Sequence, residues 1–275
     1  MNTRAIAQPI DFQPPAADAA PYLLPVTADL FAARADRFAA LAVGHSLGDW
    51  LAFLGRLSLA QHHALKALPE LPLPSTAALD QAHTHGMPPL DPAARPTAWR
   101  TVLRQLVGEL AAEAPAGARP ALSALAGADD VWLEKLAEAL LDGQLEAGDG
   151  AELPFVAAAL QVVYTQLASR LDAARLQKLD ADNVCPCCGS PAVASIVRLG
   201  AAISNLRYLH CSLCNSEWNV PRATCTSCAG DKELALQEID GRQGAVRAET
   251  CDACHSYLKI VYQEKDPHVD PVADD

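Results

Sequence analysis

Eight of the nine cysteines in this 275-residue chain stand in four C-x2-C pairs, and all nine lie after residue 180. The pairs are Cys185/Cys188, Cys211/Cys214, Cys225/Cys228 and Cys251/Cys254. Twenty-two residues separate the first pair from the second, and twenty-two the third from the fourth, whereas ten separate the second from the third. Each half therefore reads C-x2-C-x22-C-x2-C, offset by 40 residues. Two thiolates two residues apart clamp a tetrahedral ion from one tight turn, and a second such turn completes the shell. Duplication of a self-contained unit explains the offset, so the spacing predicts two sequential modules rather than alternate pairs sharing an ion. Buried thiols or a disulfide framework are the competing use of so many cysteines. Four matched pairs in a chain that reads as cytosolic favour metal.

A four-thiolate shell is coordinatively closed. It stabilises structure or passes an electron, and it offers no position for a metal-activated water. Ligand type alone leaves zinc and iron open. A glycine follows the second ligand in Cys188-Gly189, comes one place late in Cys228-Ala229-Gly230, and is missing after Cys214 and Cys254. Segments 194–199, 208–210, 234–239 and 256–261 have strand composition, which gives two small β-hairpin modules. Cys187, the odd cysteine, reads as an exposed knuckle residue without a task rather than a reactive thiol.

Before residue 180 the composition is different. Hydrophobic residues make up 51% of the chain, largely alanine and leucine with few β-branched or aromatic residues, which favours helix. The expected fold class is a mainly α N-terminal domain plus two tandem β-rich, rubredoxin-like or zinc-ribbon-like metal modules. The expected boundaries are an irregular, proline-rich arm over 1–25, a helical domain over 26–180, modules over 181–220 and 221–265, and a tail over 266–275. Helical stripes run through Phe31, Phe38, Leu41 and Ala42; through Leu47, Trp50, Leu51, Leu54 and Leu57; and through Trp99, Val102, Leu103, Leu106, Val107 and Leu110. Two more follow at Trp132, Leu133, Leu136 and Leu140, and at Val156, Leu160, Val163, Tyr164, Leu167 and Leu171. Glycines and Pro120 supply the breaks between them, while Pro154 stands where a first-turn proline is tolerated. The prolines between Pro69 and Pro96 predict a long connecting loop, because each removes an amide donor and clashes with the preceding turn.

Other candidates are weaker. His62-His63 and His83-x-His85 are of metal-binding type but read as surface residues, and His210 and His255 flank complete cysteine sets. No Gly-rich phosphate loop, G-x-S-x-G elbow or H-E-x-x-H helix occurs, so the sequence offers no catalytic constellation. The net charge of −12 repels phosphate backbones. From residue 181 onward there are eight Lys/Arg against thirteen Asp/Glu, and two four-thiolate sites holding divalent ions add further negative charge. A zinc-ribbon nucleic-acid module is therefore disfavoured. The N-terminus has no apolar signal region or twin-arginine pair, and no apolar run reaches the roughly 18 residues of a membrane span. This reads as a cytoplasmic protein without membrane insertion.

The chain resembles the FdhE family, the formate dehydrogenase accessory proteins. In the N-terminal half the resemblance rests on Phe31-x2-Arg34-Ala35-x-Arg37-Phe38, Gly44-His45-Ser46-Leu47-Gly48-Asp49-Trp50-Leu51-x-Phe53, Pro88-Pro89-Leu90-Asp91 and Pro154-Phe155-Val156-Ala157-Ala158-Ala159-Leu160-Gln161. In the C-terminal half it rests on Cys185-Pro186-x-Cys188-Gly189, His210-Cys211-x2-Cys214-x3-Trp218, Arg222-x2-Cys225-x2-Cys228 and Glu249-x-Cys251-x2-Cys254-x2-Tyr257-Leu258-Lys259. Val272-Ala273-Asp274-Asp275 is similar to the start of the family's last helix, beyond which family members continue. The resemblance implies a cytoplasmic, non-catalytic maturation chaperone that binds the catalytic subunit of a respiratory formate dehydrogenase. It also implies rubredoxin-like iron at the eight paired cysteines. A rubredoxin-like electron carrier is the alternative of a different class.

Overall fold

The computed structural model describes residues 3–6, 20–144, 149–199, 205–239 and 244–274. Pro9, Pro14 and Pro15 of the proline-rich arm, Gly148, Asp240, Arg242 and Asp275 lie outside them. Among the described residues the first half carries seven α-helices: α1 (Leu30–Ala42), α2 (Gly48–Ala67), α3 (Thr76–Thr84), α4 (Ala98–Leu110), α5 (Arg119–Ala126), α6 (Asp130–Asp142) and α7 (Leu153–Ser169). Helix α7 has no charged residue and buries twelve of its seventeen positions. A helix that is apolar all round belongs at the centre of a domain, and α7 packs against α2, α4 and α6. Helix α4 buries the stripe from Trp99 to Leu110 as the spacing predicts. Helix α6 is capped by Asp129, which accepts from the Trp132 amide at 2.8 Å, and ends on left-handed Gly143.

The structure corrects three readings of this half. Pro120 does not break a helix but occupies the first turn of α5, where its missing amide costs nothing. The 69–96 segment is not all loop, because the proline-free window 75–87 admits α3, capped by Ser75 and without a buried residue. Helix α2 buries Phe53, Leu57, Ala60, Ala64 and Leu65, whereas Leu47 and Trp50 at the head of the expected stripe are 58% and 46% exposed. Those two stand at the α1–α2 turn, beyond the point where the neighbouring helices cover the face. Helix α1 crosses α2 closely at Gly55, where a Cβ would lie 3.4 Å from the Ala35 carbonyl oxygen and the Phe38 Cβ.

The cysteine half forms one sheet with β1 (Thr3–Ile6), β2 (Tyr22–Leu23), β3 (Ala192–Arg198), β4 (Leu206–Cys211), β5 (Glu217–Val220), β6 (Leu234–Ile239), β7 (Val246–Cys251) and β8 (Ser256–Tyr262). The strand order is β1-β6-β7-β8-β3-β4-β5-β2. Strands β3–β5 and β6–β8 are antiparallel meanders, and the 40-residue offset carries β4 onto β7 residue for residue. The two meanders share one sheet. Parallel pairing of β3 with β8, with Ile196 opposite Val261, joins them edge to edge. The arm expected to be irregular supplies both outermost strands, β1 beside β6 and β2 beside β5.

The meanders relate differently to the helices. Leu209, Leu213, Trp218 and Val220 of the first belong to the same hydrophobic core as α2, α4 and α7, and so do Cys185, Cys188, Cys211 and Cys214. A helical core independent of the metal modules, as the composition break suggests, is therefore not what forms.

Candidate metal centres

Each C-x2-C pair sits on a turn in which the residue after the second cysteine adopts a left-handed backbone: Gly189 at φ 74°, Asn215 at 58°, Ala229 at 59° and His255 at 57°. The amides of Gly189, Ala229 and His255 donate to the carbonyls of Cys185, Cys225 and Cys251 at 2.8, 2.9 and 2.8 Å. The knuckle geometry thus belongs to a position, and only one of its four occupants is glycine. For other residues that backbone costs about 1–2 kcal/mol, which the surrounding turn offsets. Gly189 carries a second constraint, since a Cβ there would stand 3.2 Å from Pro88 Cγ. Gly189→Ala is expected to destabilise the protein by about 1–2 kcal/mol, with Ala229→Gly neutral or stabilising, in denaturant unfolding.

These turns bring the Sγ atoms of Cys185, Cys188, Cys211 and Cys214 within 4.8 Å of one another, and likewise those of Cys225, Cys228, Cys251 and Cys254. The closest separations are 3.5 Å for Cys185–Cys214 and Cys188–Cys211, 3.7 Å for Cys225–Cys254 and 3.8 Å for Cys228–Cys251. A disulfide needs about 2.05 Å. Four sulfurs at metal bonds of about 2.3 Å in a tetrahedron stand about 3.8 Å apart. Both sets therefore fit a tetrahedral ion, and the grouping is first pair with second, third with fourth.

Amide hydrogen bonds face the sulfurs: Cys187 N donates to Cys185 Sγ, and Leu213 N and Cys214 N to Cys211 Sγ, each at 3.4 Å. Ser216 and Ser256, also 40 residues apart, place hydroxyls 3.2 Å from Cys214 Sγ and 3.0 Å from Cys254 Sγ. The repeat thus extends beyond the cysteines, a signal legible in the sequence but missed there. Burial pushes the Cys185 and Cys211 thiols well up, while Cys214, against its own burial, is held well below the usual thiol value by hydrogen bonds from Cys185, Cys188 and Cys211. Four buried thiols do not all ionise unaided, and a bound cation would supply the compensating charge.

Cys187 is a correction. It is fully buried rather than exposed, and its carbonyl accepts from the Leu90 amide at 2.9 Å. The 69–96 segment therefore docks on the first knuckle, with Leu90 on Cys187 and Pro88 on Gly189. On the opposite knuckle, Gln161 Nε2 of α7 donates to the Ser212 carbonyl at 2.8 Å.

The histidines do not join either set. His210 faces Glu217 Oε1 at 3.0 Å and Asn215 Oδ1 at 3.1 Å, and His255 serves as the left-handed knuckle residue. His63, His83 and His85 are exposed as expected, but His62 is buried, which pushes its pKa down.

A polar chain lies behind the first set. Arg34, 2% exposed on α1, donates to Asp270 at 3.0 Å and to Asn215 Oδ1 at 2.9 Å, and Asn215 Nδ2 donates to Thr165 Oγ1 of α7 at 2.8 Å. Arg37 pairs with Asp274 at 2.6 Å and Asp266 at 2.8 Å. Arg198 and His210 converge on buried Glu217, and together they hold its carboxyl below the usual range although burial works the other way. Buried Arg207 of β4 reaches Glu249 of β7 at 2.9 Å, across the seam between meanders. Sequence reasoning had no signal for these pairings, several of which join residues far apart in the chain.

A helical domain fused to a cysteine sheet with two four-sulfur clusters defines a class of protein with paired sites that could each hold a tetrahedral metal ion. The chain matches family models described as FdhE, N-terminal over residues 19–181, FdhE, central domain over 184–222 and FdhE, C-terminal domain over 223–275. It is 41% identical to the FdhE homolog of Serratia proteamaculans over 93% of this chain and 83% of that one. It is 38% identical to FdhE of Salmonella arizonae over the same shares. The crystal structure of FdhE from Pseudomonas aeruginosa superposes with a TM-score of 0.83 at 36% identity, covering 92% of this chain and 89% of that one. This chain belongs to the FdhE family.

Proposed function

We propose that this protein is a cytoplasmic accessory protein for the maturation of a formate dehydrogenase, acting as a chaperone that binds the enzyme's catalytic subunit. The observation that carries this reading is family membership along nearly the whole chain, in the cysteine modules as well as the helical domain. Two features are consistent with this reading. An ion in either four-sulfur set would have all its tetrahedral positions filled by protein ligands, and the formal charge of −12 disfavours nucleic acid. Among the described residues no helix is long and apolar enough to cross a membrane.

Cys185, Cys188, Cys211 and Cys214 hold one ion in this reading, and Cys225, Cys228, Cys251 and Cys254 the other. Iron is assigned by kinship, although zinc fits the same sulfur geometry. Co-expression with the catalytic subunit and capture through a tag on either partner is expected to recover a complex. Failure to capture in both directions, from cells holding both proteins folded, would remove the chaperone reading. A reversible one-electron couple in protein isolated with iron would favour an electron carrier instead.

A further inference from the structure

The two sulfur sets are built alike and placed unlike. Cys185, Cys188, Cys211 and Cys214 are each at most 1% exposed and lie inside the main hydrophobic core. The helical half also grips both knuckles of that set, through Leu90 on the Cys187 carbonyl and Gln161 on the Ser212 carbonyl. At the second set those grips have no counterpart among the described residues. Cys225 and Cys251 are buried, Cys254 is half-buried and Cys228 is exposed. Beside them Tyr257 is 69% exposed, and the Cys228 turn depends on Gly230, where a Cβ would crowd the Cys228 sulfur at 3.3 Å.

Replacement of one ligand at a closed tetrahedral ion needs an incoming donor to approach the metal while an old bond lengthens. At the first set the core blocks that approach and the helical grips resist the lengthening. At the second set one sulfur already faces solvent, on a turn held by its own meander.

We propose that the second four-cysteine site is a metal-exchange site, opened at Cys228 by a thiol-bearing donor or acceptor, while the first site keeps its ion for the life of the fold. This rests on the reading of both sets as metal sites. With an ion held by the second set, an incoming thiolate would bond to it as Cys228 is released, and Cys228 would take up the proton that the incoming thiol gives up. The metal keeps its charge, so no oxidant or reductant enters.

The test uses the full chain loaded with zinc and challenged with excess pyridylazo-resorcinol, followed by absorbance. Two equivalents are expected to leave in separate phases, the faster at least about tenfold ahead, because local opening costs far less at a surface turn than in a core. Cys228→Ser, which lacks a ligand of the second set, is expected to hold about one equivalent at loading and to release it at the slow rate, which assigns the fast phase to the second set. A second measurement needs no variant: timed iodoacetamide labelling of the zinc-loaded protein, read by mass spectrometry, is expected to modify Cys228 first and the first set last. Two equivalents leaving at one rate, or labelling of the first set as fast as Cys228, would overturn the exchange site alone. A chain that holds no zinc before the challenge overturns the metal reading and the exchange site with it.

Discussion

Cys211→Ser is expected to destabilise the helical domain together with the first site, whereas Cys225→Ser leaves the helices standing. Cys211 has no exposure and shares one core with Trp99, Leu160 and Tyr164, so losing its ion strands unpaired thiols among apolar side chains. Structural zinc contributes about 10–16 kcal/mol in isolated fingers, against a total of about 5–15 kcal/mol for a whole domain. Losing even a third of that costs several kcal/mol, and at about 2–4 °C per kcal/mol the helical transition drops by about 10 °C or more. Cys225 belongs to the second meander, whose seam with the first is the β3–β8 pairing and the Arg207–Glu249 contact. Circular dichroism melts at the helical band, paired with metal analysis, separate the outcomes. A Cys211→Ser melt that coincides with the parent would refute the shared core.

The second large effect falls on Arg34→Ala. Arg34 joins α1 to the C-terminal segment through Asp270 and to the Cys211/Cys214 knuckle through Asn215. Removing one partner of a buried pair costs about 3–5 kcal/mol, because the remaining charge has no compensation. Arg34→Ala is expected to lose that much in urea unfolding, and Arg34→Ala combined with Asp270→Asn to lose less than the sum of the single losses.

The pH profile gives an independent readout. Burial works against the Asp270 carboxylate, yet Arg34, His210 and the amides of Ala273 and Val272 hold its pKa below the usual value. A carboxyl depressed in the folded state adds stability above its unfolded pKa, and loses it as pH falls through the folded one. Part of the acid limb of stability therefore belongs to Asp270, and Arg34→Ala flattens it. An unchanged acid limb in that variant would assign the limb to other groups.

What could be read in the chain follows from how local each cause is. Two thiols separated by two residues, repeated after 40, already specify the two sulfur sets, because the ligand geometry is satisfied within a turn and its repeat. The stripes of α4 and α7 were legible for the same reason, since a 3.6-residue period reports which face is buried. Helix α3 and the first turn of α5 were harder, because a proline signals a break only when its position within the turn is known. The left-handed residue after each second cysteine escaped a search for glycine, as Asn215, Ala229 and His255 fill three of the four places.

By itself, then, the sequence determined the eight paired cysteines, their sequential grouping and a helical first half. Tertiary structure alone decided that the four thiols of one set lie inside the helical core and those of the other at the rim, that β3 and β8 fuse the meanders, and that Arg34 finds Asp270 some 236 residues away. Burial and long-range pairing are properties of how faces pack against one another. Two copies of one local pattern carry no mark of which will be covered.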